Sequence, residues 1–225
     1  MAAIPAPTAG RQSPITRFGA LPVSAAALLP VLGWALGGGL WHWLTPFLLL
    51  VVGPFVDRAL GEDNINVPPQ AEDAYLRNVW YRVSLWVFWP VQAGMVLFSY
   101  SLITGGSLEL YEQIGLGFSC IVAVALGATL GHELCHHGSR LDRFVGVQVL
   151  SLCGMANFLI YHNYGHHNLV ATPEDPGSAR FGQSFWGFTA GNIWRKFKLS
   201  WSIEAQRLRR QGRGVVSVHN LMVWL

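Results

Sequence analysis

The sequence predicts an all-α integral membrane protein: four transmembrane helices, with a further interfacial or re-entrant helix between two histidine-rich boxes. Three observations carry that expectation. In 225 residues, 52% are apolar and only 12% charged, half the charge of an ordinary soluble domain, and the mean hydropathy is +0.34. Long stretches carry no Asp, Glu, Lys or Arg. All 15 Lys and Arg residues fall in segments that four crossings would place on one side of a membrane. This composition excludes a disordered chain and an ordinary soluble globule. A net charge of +3 is too small to suggest a nucleic-acid partner. Three cysteines (Cys120, Cys135, Cys153) without a C-x-x-C pair exclude a disulfide framework.

The first charge-free stretch, Phe18 to Val56, is 39 residues, about 58 Å as helix and room for two crossings of a core about 30 Å thick. Gly37-Gly38-Gly39 and Trp41-His42-Trp43 mark the turn between them, with the two Trp and His42 at the interface. Val83–Leu108 and Gln113–Gly131 fit one span each. Residues 1–17 carry Arg11 and Arg17 and read as a cytoplasmic tail, followed by one membrane domain over 18–225. The first apolar stretch is too long for a cleaved signal, so it is expected to remain as an anchor. With the N-terminus inside, every Lys and Arg becomes cytoplasmic, and the far-side turns have none.

The fourth apolar stretch, Phe144–Ile160, is 17 residues. If it spanned, the histidines on either side of it would face opposite compartments. An interfacial or re-entrant helix keeps them together, and that reading is preferred. The segment 57–82 is expected to be an ordered cytoplasmic connection broken at Pro68-Pro69, and 171–180 a turn-rich loop. Trp194–Arg213 reads as a basic amphipathic helix that either meets anionic lipid or a partner, or is simply a solvated face.

The histidines form two groups, G-H-E-L-C-H-H at 131–137 and H-N-Y-G-H-H at 162–167. His132 and His136 are four apart, one helical face. His162 and His166 repeat that spacing, and His167 extends the cluster. Neutral imidazole binds Zn, Cu, Fe and Ni, and ionisable residues at the end of a span are functional candidates. His42 and His219 are isolated and read as non-ligands, and Cys135 as a small packing residue. The first group also fits H-E-x-x-H, the zinc-peptidase pattern with Glu133 as general base. However, Ser139 and Asp142 stand where the extended metzincin pattern needs Gly and His. The second histidine group supplies more ligands than one catalytic zinc takes.

At these groups the chain resembles the membrane-bound alkane hydroxylases (alkane 1-monooxygenases) within the membrane fatty acid desaturase/hydroxylase superfamily. HELCHH stands for the family's H-E-(L/M)-x-H-(K/R), and YHNYGHHNLVATPEDPGSAR for its second box and V-A-T-P-x-D-P tail. LGEDNINVPP and EAQRLRRQGRGVVS resemble two further family segments, so the likeness runs over about residues 40–220. The resemblance implies a non-haem di-iron monooxygenase in the inner membrane, with its His boxes cytoplasmic. It would hydroxylate the terminal carbon of alkanes with O2. Electrons would come from rubredoxin, reduced by a NAD(P)H-dependent rubredoxin reductase.

It further implies His132, His136, His162, His166 and His167 as metal ligands, with Glu133, Asp175 and His137 behind them. The alternatives are a related fatty-acyl desaturase, an aromatic side-chain hydroxylase, or the zinc peptidase. Two departures stand out: His137 replaces a basic residue, and Tyr161 replaces the Glu that opens the second box. The family's N-x-x-E-H-Y-G motif and third His box are absent, so the expectation is a C-terminally truncated member that lacks part of its di-iron site and is inactive by itself.

Overall fold

The computed structural model describes residues 19–61 and 78–224. The expected N-terminal tail and most of the 57–82 connection lie outside the described residues. Everything described is helix, turn or loop, with no strand among the described residues. The chain divides into two units, Met1–Leu130 and Gly131–Leu225.

In the first unit, two short helices, α1 (Leu21–Ala26) and α2 (Leu29–Ala35), each open with a proline in their first turn, where the missing N–H costs no hydrogen bond. Three helices follow that are long and apolar enough to cross a membrane: α3 (Gly39–Leu60), α4 (Val79–Thr104) and α5 (Leu110–His136). Over the described residues the first predicted span thus appears as two short helices and not as one continuous helix. The predicted turn is there: Gly37, Gly38 and Gly39 all have positive φ, open to glycine at little cost. Leu40, Phe55, Leu97 and Ile121 are exposed. An apolar surface of this kind is normal in lipid and a liability in water.

The helices of this unit meet through small residues and hydrogen bonds. A Cβ on Gly115 would run into the Trp43 ring, so glycine there sets the approach of α3 to α5. Glu112 accepts from the backbone N–H of Gly39 and, in a capping box, from that of Glu109, both at 2.8 Å. His42, expected at the interface, is instead buried, and its carbonyl accepts the Ser119 hydroxyl at 2.5 Å. Gln92 reaches from α4 to the Val124 carbonyl of α5 at 3.2 Å.

The second unit begins with the last turns of α5, followed by α6 (Arg140–Leu152), which is N-capped by Ser139. Gly131 and Gly146 bring α5 and α6 into close contact. A Cβ on Gly131 would lie 2.7 Å from Leu150 Cγ, and one on Gly146 would lie 3.2 Å from Cys135 Sγ. This small-on-small crossing gives Cys135 the packing role its sequence suggests. Gly154, at φ 70°, then reverses the chain into α7, a helical run over 158–169 whose middle, His162–His166, is a π-turn. α8 (Phe185–Arg210) is capped by Ser184; it starts nine residues before the basic helix expected from the sequence. It packs on α7 at Gly165, where a Cβ would lie 2.9 Å from Leu199 Cδ2. The residues after α8 fold back on it: Glu204 pairs with Arg207 at 2.8 Å and accepts from the Leu221 N–H at 3.0 Å, and Arg207 also donates to the His219 carbonyl.

Candidate metal centre

Both histidine groups lie in the second unit, and α6 is what joins them. Its 13 residues make about 20 Å of helix, and the Gly154 reversal returns the chain to the end of α5. Asn163 locks the return by donating to the Cys135 carbonyl at 2.9 Å. The result is a tight knot of imidazoles. His132 Nε2 lies 2.8 Å from His162 Nε2 and 2.9 Å from His136 Nε2, and His136 and His162 are 3.1 Å apart. His167 Nε2 lies 3.0 Å from His162 Nε2. An ion held about 2.1 Å from imidazole nitrogens leaves neighbouring ligands about 3 Å apart at right angles. These separations therefore suit one cation shared by His132, His136 and His162.

The π-turn decides which histidines meet. In a regular α-helix, positions 162 and 166 share a face. Here the His167 N–H reaches back to the His162 carbonyl, five residues earlier, and the wider turn brings the side chains of 162 and 167 together. His166 stacks beside His162, ring centroids 5.2 Å apart, and turns its Nδ1 to Asp175 Oδ2 at 2.9 Å. Its Nε2 keeps a lone pair if Nδ1 carries the proton. Single π-turns of this type recur at functional sites.

Asp175 is buried and heavily engaged. Besides His166 it accepts from the Gly177 N–H and the Ser178 hydroxyl, both at 2.8 Å, and from the Tyr161 hydroxyl at 3.3 Å. Burial pushes its pKa up, but the bonds from Gly177, Ser178 and His166 outweigh burial and leave it below the usual carboxylate value. The P-E-D-P-G-S turn is built around this carboxylate. A Cβ on Gly177 would collide with the Tyr161 hydroxyl, so residue 177 must be glycine for the turn to close. Burial first, then the neighbouring imidazoles, lower the pKa of His162 to about 3. It is therefore neutral near pH 7, the form that ligates metal.

His137 points elsewhere. It is buried between Glu133 Oε1 at 3.3 Å and Asp142 Oδ2 at 3.4 Å. The Glu133 bond, then Asp142, raise its pKa against the effect of burial. Two participants were not picked out by sequence reasoning. Phe158 stacks on His162 at 4.6 Å and stands edge-on to His132. Tyr161 bonds Asp175 from the position where the expected Glu is missing. The signal for Tyr161 was its place at the head of the second box; Phe158 gave none. Among the described residues His219 takes part through its carbonyl, which accepts from Arg207.

Membrane-length apolar helices, and at the end of one of them an imidazole cluster able to hold a metal ion, fit the class of membrane metalloproteins. Residues 111–225, which include both histidine groups, match the fatty acid desaturase family, and the chain belongs to that family. It is 32% identical to alkane 1-monooxygenase 1 of Alcanivorax borkumensis over 201 residues, 89% of this chain and 49% of that protein. It is 32% identical to an alkane 1-monooxygenase of Pseudomonas putida over 82% of this chain and 46% of the relative. A xylene/toluene monooxygenase hydroxylase component of Pseudomonas putida is 24% identical over 81% of this chain. The chain spans about half the length of the curated relatives it matches.

Proposed function

We propose that the chain is part of a membrane-bound non-haem di-iron monooxygenase that hydroxylates the terminal carbon of alkanes. The alkane takes one oxygen atom of O2 and the other leaves as water, with two electrons from rubredoxin and two protons. The observation that carries this reading is the convergence of His132, His136, His162 and His167 through nitrogens 2.8–3.1 Å apart. Its likeness to alkane 1-monooxygenases supports the substrate class.

In this reading His132, His136, His162, His166 and His167 hold metal, and iron bound there supplies the redox chemistry that activates O2. Asp175 fixes the tautomer of His166 by accepting its Nδ1 proton, as carboxylates behind metal-bound imidazoles do. Phe158 keeps water off one face of His162. Glu133 and Asp142 hold His137 between them at the end of α5, behind His136. The topology has four spans, the first comprising α1 and α2, with the N-terminus and both boxes cytoplasmic in the inner membrane. An alkane dissolved in the bilayer then reaches the cluster from the apolar side. The resemblance to a xylene/toluene hydroxylase keeps an aromatic substrate as a second reading. Membership in the desaturase family, and a second imidazole group converging on the first, weigh against the zinc peptidase.

Metal analysis of the detergent-purified protein tests the proposal. Iron is expected, and it should fall by at least about tenfold in His162→Ala, since losing a ligand costs more than the 10–100-fold of an outer partner. Stoichiometric zinc retained beside negligible iron would overturn the reading. Octane hydroxylation with added rubredoxin, by a protein of the relatives' full length that contains this chain, then tests the substrate.

A further inference from the structure

α8 is 26 residues long, about 39 Å of helix, which is enough to cross a bilayer. Its charges forbid that. Six Lys and Arg stand against one acid, Glu204, and α8 is not among the helices apolar enough to span. Its outer face is nonetheless apolar. Trp186, Ile193, Trp194, Phe197 and Trp201 follow one another at i, i+7, i+8, i+11 and i+15, a single helical stripe about 22 Å long. The first four are exposed, Trp186 by 78% and Ile193 by 70%. On the other side of the helix, Leu199 and Ile203 close on Gly165 of α7, so the stripe faces away from the second histidine group.

The rings lie against one another along the stripe. Trp194 and Phe197 stack with centroids 5.7 Å apart, and Phe197 meets Trp201 at 6.3 Å. The indole N–H groups of Trp186, Trp194 and Trp201 have no acceptor among the described residues. Lys198 flanks the stripe with its ammonium 5.6 Å over the Trp194 ring. An open hollow of ≈ 590 Å³ lies beside it, lined by Phe197, Trp201, Val215 and Lys198 among others.

We propose that α8 lies along the surface of an anionic bilayer. The stripe sits where headgroups meet acyl chains, Lys198 meets a lipid phosphate, and the hollow takes the upper carbons of one chain. An aromatic stripe on a basic helix is the pattern of helices that rest in the membrane interface. Tryptophan suits that depth, since its ring enters the chains while its N–H turns to lipid carbonyls or water. The Lys198 stem can lie on the apolar ring while its ammonium reaches outward. The excess of positive charge on α8 draws anionic headgroups. A second copy of the chain seated on the stripe would instead bring two basic helices together, which like charges oppose. Because α7 packs on the opposite side at Gly165, a lipid-bound α8 fixes the second histidine group at the membrane surface. The inference rests on the membrane reading of the chain and needs neither metal nor turnover.

The probes are two phosphatidylcholines, one with a diazirine near the top of an acyl chain and one with it at the chain end. Each is photolysed with the protein in vesicles of phosphatidylcholine and phosphatidylglycerol in equal parts, and adducts are located by tryptic peptide mass spectrometry. The peptide 181–195 holds Trp186, Ile193 and Trp194. It should be labelled several-fold more by the upper probe than by the chain-end probe, whereas residues 88–104 of α4 should take both. Lys198→Glu should lower its labelling about fivefold, the scale of one basic side chain at an anionic surface, and Lys198→Arg should retain it. Trp186→Ser with Trp194→Ser should lower it as well. Unchanged helix content and metal content establish that the variants fold. A labelled α4 beside an unlabelled 181–195 would overturn the proposal, because water or a protein surface would then cover the stripe. Equal labelling of 181–195 by both probes, or full labelling in both the Lys198→Glu and the double Trp variant, would also overturn it. No adduct in 88–104 would remove the membrane reading and the proposal with it.

Discussion

Asp175 concentrates the chemistry of the second box on one side chain. It is 1% exposed and takes four hydrogen bonds, one of which sets how His166 presents its other nitrogen. Asp175→Asn keeps the size but supplies a donor where His166 Nδ1–H needs an acceptor. Metal affinity should fall about 10–100-fold, read by competition against a graded chelator; unchanged affinity would remove Asp175 from the site. At this scale the sequence was informative about identity and silent about orientation. Histidine spacing named the imidazoles that cluster. It could not show that His137 turns away to Glu133 and Asp142, because a run of adjacent histidines on a helix looks alike whichever face becomes buried.

Elements decide what the residues can reach. The pairing of His162 with His167 depends on the π-turn, which no 3.6-residue periodicity announces. The crossing of α5 and α6 depends on glycines that read in the sequence as ordinary members of apolar runs. Gly131→Val should disturb this crossing, because its side chain would enter the space of Leu150. The expected cost is about 1–3 kcal/mol, seen as a lower thermal midpoint together with lost metal. A variant that keeps both would show that the helices can separate freely.

The end of α8 provides a pH handle away from the metal ligands. Hydrogen bonds from Arg207 pull the Glu204 pKa down against the effect of burial, with help from the Leu221 N–H. A depressed folded pKa means that Glu204 contributes stability above its unfolded value, near 4.5, and that this is lost as pH falls through the folded value. Glu204→Gln should cost about 2 kcal/mol at neutral pH and show a smaller further loss on acidification. Thermal midpoints between pH 7 and pH 3 would check this, and parallel curves for the two proteins would contradict it.

At the scale of the whole molecule, the proposed topology puts the exposed basic end of α8 on the same side as the imidazoles. Arg209 and Arg210 are exposed, whereas Arg207 is occupied by Glu204 and the His219 carbonyl. In a protein of the relatives' full length that contains this chain, Arg209→Ala with Arg210→Ala should therefore slow rubredoxin-dependent turnover several-fold at low salt and little at high salt, as screened charge pairs do. Equal rates at low salt would remove this surface as the docking site. Arg207→Ala should act through stability instead.

Charge gaps and the two histidine groups, read alone, pointed to a helical chain with membrane-length apolar segments and a histidine cluster able to hold metal, and the longer motifs around those groups marked a recognisable family. They could do so because burying charge in lipid and gathering imidazoles around a cation are constraints written into composition and spacing. Tertiary structure alone decided that α1 and α2 are separate short helices, that His42 is buried, and that Tyr161 and Phe158 back the cluster. Each of these depends on which side chains from distant segments share a volume. That is set by helix crossings and chain reversals, and the local pattern of residues does not encode it.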